Sequence, residues 1–115
     1  MNDRKAFETS LARISELDQS GYKLNSVLAV TKDLTFNETN GPLSGVPILI
    51  KDNIEAIGLP ATAGSLALAE TTVVRDSTIA KRLRAAGATI IGATNLSEWA
   101  NIRSSKSTSG NPILA

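Results

Sequence analysis

The chain has 115 residues, 42% hydrophobic and 20% charged, with 12 Lys and Arg against 11 Asp and Glu for a net charge of +1. That is enough for one modest core and too little for two domains, and so even a charge balance gives no ground for a nucleic-acid or anionic-membrane partner. Cysteine and histidine are both absent, which excludes disulfides, thiolate nucleophiles, histidine-based triads and most zinc or haem sites; Ser, Thr, Lys, Asp and Glu are left to carry any chemistry, with no metal and no cofactor expected.

Met1-Asn2-Asp3-Arg4-Lys5 leads into an amphipathic segment instead of an apolar leader, and no run approaches the length of a membrane span, so the expected location is cytoplasmic. Phe7, Leu11, Ile14 and Leu17 recur at helical spacing. This predicts a helix over 4–20, capped by Asn2 or Asp3 and stopped by Gly21 in a left-handed conformation. Leu24 to Val30 is aliphatic and β-branched and reads as a strand, whereas 31–40 is polar and reads as a connection.

Gly41-Pro42-Leu43-Ser44-Gly45 then turns the chain into Val46-Pro47-Ile48-Leu49-Ile50, a short apolar run that ends on Lys51-Asp52-Asn53-Ile54. The composition predicts a central strand over 46–51 covered on both faces, with Val46, Ile48 and Ile50 on one side and Leu49 and Lys51 on the other. A lysine ending a strand ordinarily reaches into solvent. Open α/β sheets, however, place their ligand crevice at the carboxyl ends of strands, where partial desolvation would lower the pKa of Lys51 and make a neutral amine base accessible.

The loop Gly58-Leu59-Pro60-Ala61-Thr62-Ala63-Gly64-Ser65 carries little bulk and suits close backbone approach to another surface or a ligand. After a helical turn at 66–69, Asp76 is expected to cap a helix with Ile79, Leu83 and Ala86 on its inner face, Lys81, Arg82 and Arg84 on a solvated face, and Gly87 as its stop. Ala88 to Asn95 reads as the next strand, so strand, helix and strand follow one another as in a right-handed parallel crossover, and the fold class is α/β. Leu96 to Ala100 reads as a short helix with Trp99 as a packing anchor, and the remaining serine-rich stretch from Arg103 has the composition of a linker.

Gly41-Pro42-Leu43-x-Gly45-x-Pro47-x-x-x-Lys51-Asp52-Asn53-Ile54 resembles the opening motif of the amidase signature family. Thr62-Ala63-Gly64-Ser65, Arg75-Asp76, Arg82 to Ala88 and Thr94 to Asn101 resemble the blocks that follow it, in family order. The resemblance implies a mixed sheet flanked by helices and serine hydrolase chemistry on a carboxamide, giving a carboxylate plus ammonia or amine. It makes Lys51 the base of a Ser-cisSer-Lys triad. The bridging serine and the nucleophile of that triad lie in a segment resembling Gly-Gly-Ser-Ser-Gly-Gly-Ser, which these 115 residues do not contain. Residues 1–115 are therefore expected to be the N-terminal portion of a single amidase domain, with 41–115 carrying the signature-like blocks. That portion is expected to be inactive alone and to associate through unpaired edges of strands 46–51 and 88–93.

Thr62, Gly64, Ser65, Ser107 and Ser109 are the candidates to line the crevice above Lys51. The expected partner is a small-molecule amide, without nucleic acid or membrane, and self-association into a homo-oligomer is left open. Two alternatives stand beside this reading: the A subunit of a tRNA-dependent amidotransferase, in which the triad releases ammonia from glutamine, and a non-catalytic binding module.

Overall fold

A computed structural model describes residues 3–31, 37, 40–70 and 73–100. The chain forms α1 (Asp3–Arg13), continued by a wider π-helical turn at Ile14–Gln19, then β1 (Val27–Val30), β2 (Pro47–Lys51), α2 (Thr78–Ala85) and β3 (Thr89–Thr94), with single 3-10 turns at Leu66–Leu68 and Glu98–Ala100. The strands lie in the order β1-β3-β2, β3 antiparallel to β1 and parallel to β2, which makes the sheet mixed and the class α/β.

The central strand is β3, with every residue from Thr89 to Ala93 buried, and among the described residues β2 is an edge. The expected central place of β2 is thus not seen among the described residues, where β3 holds it. Pro47 opens the strand and lacks an N–H to give to a neighbour, a feature edge strands tolerate, and Leu49 stands 38% exposed. An alternating apolar run records which face is inward but not how many neighbours the strand has.

The core divides between the faces of β3, because adjacent residues of a strand point in opposite directions. Ile91 packs with Phe7 and Ile14 of the first helical stretch, flanked by Leu11, Val27 and Val30. Ile90 packs with Ile50, Ala56, Leu59, Ala80 and Ala93, so α2 contributes Ala80 to the other side. Truncating a buried side chain such as Ile91 to Ala would cost about 2–5 kcal/mol, the lost transfer energy plus a cavity.

The helical stretch at 3–19 and its stop at Gly21 (φ 55) agree with the periodicity. Its inner face differs at one point. Leu17 is 37% exposed while Asp18 is buried, because the wider turn at 14–19 rotates the last residues and the carboxylate has partners waiting. Asp18 Oδ1 accepts from both the backbone N–H and the hydroxyl of Ser26, and Oδ2 accepts from the N–H of Val27 at 3.0 Å. That staple joins the helix to β1. It also explains why β1 starts at Val27 and not at Leu24: Lys23 and Asn25 take left-handed conformations (φ 49 and 54) to present Ser26 and Val27 to the carboxylate.

The inner face of α2 also differs from its expected pattern, with Ala80 fully buried and Ile79 55% exposed. The cap is Ser77, whose hydroxyl accepts from the N–H of Ala80 at 3.2 Å. Asp76, one residue earlier, instead accepts from the N–H of Ile57 (2.8 Å) and from Nε of Arg84 (3.0 Å), and Arg84 gives a second bond to the carbonyl of Ile57. Arg84 is therefore a tie between α2 and the segment after β2, while Lys81 and Arg82 are exposed as expected. Gly87 ends the helix at φ 99.

Candidate active site at the carboxyl ends of β2 and β3

Lys51 is the last residue of β2 and pairs in register with Thr94, the last residue of β3. Parallel pairing thus brings two strand ends together, and the loops leaving them, 52–65 and 95–100, share one end of the sheet. Backbone bonds hold the turn that follows the lysine: the N–H of Asp52 donates to the carbonyl of Thr94 at 3.0 Å, and the N–H of Ile54 donates to the carbonyl of Lys51 at 2.9 Å. The lysine side chain is exposed, and no carboxylate among the described residues lies within ion-pair distance of it. The partial burial expected for Lys51 is accordingly not supplied by the described residues. The Leu49 face on which it stands is itself open.

The small-residue loop folds back onto the end of β2. The N–H of Ala63 donates to the carbonyl of Asp52 at 3.2 Å, and the Thr62 hydroxyl donates to Oδ2 of Asp52. Thr62, Gly64 and Ser65 are all buried. Gly64 sits at φ 75, and a Cβ there would lie 2.9 Å from the carbonyl oxygen of Leu96 and 3.1 Å from the backbone of Glu98, so only glycine lets the two loops touch. The carbonyl of Ala63 accepts from the N–H of Trp99 at 2.6 Å, closing the contact. Ser65 spends its hydroxyl on the N–H of Ala67, capping the 3-10 turn.

Three of the five expected crevice residues, Thr62, Gly64 and Ser65, therefore lie in the loop bonded to the residue after Lys51, whereas Ser107 and Ser109 fall outside the described residues. Trp99 is not the expected anchor. It is 58% exposed with a left-handed backbone (φ 56), the consequence of turning its N–H toward Ala63.

Sequence reasoning passes over Asp52, which is fully buried, with Oδ2 bonded to Thr62 and Oδ1 without a hydrogen-bond partner among the described residues. Its only signal is its place after an apolar strand, since spacing does not reveal that a threonine ten residues on will meet it. Elsewhere, a cleft of about 350 Å³ is lined by Thr31, Ile57, Gly58, Asp76, Arg84, Thr89 and Ile90. It opens beside the amino end of β3, away from Thr94 and Lys51, and its charged residues Asp76 and Arg84 are paired to each other. Among the described residues no group of His, Cys, Asp and Glu could hold a metal ion, and no helix is long and apolar enough to cross a membrane.

The sequence model of the Amidase family matches residues 8–113. The chain belongs to the amidase family. A putative amidase of Arthroderma benhamiae is 36% identical over 112 residues, covering 90% of this chain and 19% of its own length. The A subunit of the glutamyl-tRNA(Gln) amidotransferase of Salinispora arenicola is 46% identical over 77 residues, covering 67% of this chain and 16% of its own. Among solved structures, the native peptide amidase of Stenotrophomonas maltophilia superposes with a TM-score of 0.88 at 38% identity, over 97% of this chain and 26% of its own. This chain thus spans between a sixth and about a quarter of the length of those relatives.

Proposed function

We propose that the full-length protein hydrolyses a carboxamide to a carboxylate plus ammonia or amine, with Lys51 as the base. The observation that carries this reading is the position of Lys51 at the joined carboxyl ends of β2 and β3, in a chain of the amidase family. A neutral lysine amine takes the proton of a serine nucleophile through a bridging serine; the serine oxygen attacks the amide carbon, backbone N–H groups stabilise the oxyanion, and the proton passes to the leaving nitrogen. Water then releases the carboxylate from the acyl-enzyme. Desolvation is what disfavours an ammonium form and makes an amine base accessible. Thr62, Gly64 and Ser65 belong to the wall of this site, with Ser107 and Ser109 as further members.

Ammonia release from a panel of primary amides by the full-length protein tests the reading; a folded preparation that turns over none of them would refute it. A second reading has a specific observation behind it, the 46% identity to the A subunit of an amidotransferase. On that reading the amide is glutamine and a partner consumes the ammonia. Turnover of glutamine alone, rising when a partner subunit is added, would favour it over a stand-alone amidase.

A further inference from the structure

Asp52 is buried beside the candidate base, and the chemistry above makes no use of it. A carboxylate removed from water costs several kcal/mol unless hydrogen bonds replace its hydration, yet Asp52 is fully buried and one of its oxygens has no partner among the described residues. An apolar side chain of similar size would fill the same place without that cost. A residue kept against such a cost, directly after the candidate base, calls for a function.

The neighbouring geometry supplies one. Lys51 is exposed and has no ion-pair partner among the described residues, and its flexible four-carbon stem loses entropy when held in place. Wherever that amine is held during the reaction, its reach starts from the Lys51 Cα, so a displaced strand end displaces the amine or adds to the cost of placing it. Asp52 stands on the opposite side of the strand end from Lys51 and reaches three ways: its N–H to the carbonyl of Thr94, its carbonyl to the N–H of Ala63, and its carboxylate to the hydroxyl of Thr62. The Thr62 hydroxyl in turn accepts from the N–H of Gly64 at 3.2 Å, the residue pressed against Leu96 and Glu98. One buried side chain thus joins the end of β2 to both loops of the site.

We propose that Asp52 is a positioning residue for Lys51, fixing the strand end that carries the lysine through its carboxylate bond to Thr62. The inference rests on the reading of Lys51 as the base. It assigns Thr62 to the support of that base, so Thr62 acts on turnover and not on substrate affinity.

The test uses the full-length protein and steady-state kinetics on one amide, with Thr62→Val, Thr62→Ser, Asp52→Ala and Lys51→Ala side by side and thermal melts to establish that each is folded. Displacing a catalytic group by a fraction of an ångström to one ångström costs about 10- to 100-fold. Thr62→Val and Asp52→Ala are expected to lose kcat by that factor with KM changed by no more than about twofold, and Thr62→Ser, which keeps the hydroxyl, to recover most of the loss. Thr62→Ala takes the place of Thr62→Val if the latter is not recovered folded. Wild-type kcat in the folded valine or alanine variant, or a loss that falls on KM, would overturn the inference while inactivity of Lys51→Ala left the base assignment standing. An active Lys51→Ala would overturn that assignment, and this inference with it.

Discussion

Two buried aspartates divide the molecule's polar interior into two kinds. Asp18, where the first helical stretch meets β1, has both carboxylate oxygens engaged, by Ser26 and Val27. Asp52, at the end of β2, is buried more completely and among the described residues engages only Oδ2. A fully satisfied buried carboxylate is a joint that defines how two elements meet, whereas a half-satisfied one is a liability in a low-dielectric setting. The difference is spatial: the complete set lies at the start of the fold and the incomplete one beside the lysine. On the proposed reading of Lys51, the second is where local stability would give way to the placing of groups for chemistry.

Substitutions can sharpen or break that contrast. Asp18→Ala removes the acceptor of the part-buried bonds from the N–H groups of Ser26 and Val27 and is expected to destabilise the full-length protein by about 1–3 kcal/mol in denaturant unfolding, at about 0.5–1.5 kcal/mol for each bond lost. Its kcat should stay at the wild-type value, and a kcat loss like that expected for Asp52→Ala would erase the distinction between the two aspartates. Gly64→Ala places a Cβ 2.9 Å from the Leu96 carbonyl at a left-handed φ; a loss of about 1–3 kcal/mol is expected for the strained backbone, with lower kcat as loops 52–65 and 95–100 separate. An unchanged melting temperature and kcat would show that the two loops do not need their close contact. The smallest effect is expected at the exposed Arg4–Glu8 pair, 3.5 Å apart on α1, where Glu8→Ala should cost no more than about 0.5 kcal/mol and less in high salt.

Much of this architecture is readable without coordinates. The helical stretch ending at Gly21, the order of strand, helix and strand, and the stop at Gly87 follow from periodicity and glycine placement, because these are local properties of the chain. The motif around Lys51 and the blocks after it carry the family. What is not readable depends on partners distant in sequence. Alternation in 46–51 cannot tell an edge from a centre. Ser77 and Asp76 are equally good cap residues until Ile57 and Arg84 claim the aspartate. Trp99 reads as a core residue by type, but the bond its N–H makes to Ala63 turns it outward. Asp52 and Thr62 are polar residues in polar surroundings by sequence, and only the return of the loop onto β2 makes them a buried pair.

The proposed chemistry turns on Lys51, and turnover of a simple amide by full-length Lys51→Ala tests it most directly. Loss of an acid–base group costs about 10²–10⁴-fold, so the variant should fold as the wild type does, by circular dichroism and thermal melt, and turn over the amide at least about 100-fold more slowly. Near-normal turnover in that folded variant would contradict the assignment of Lys51 as the base.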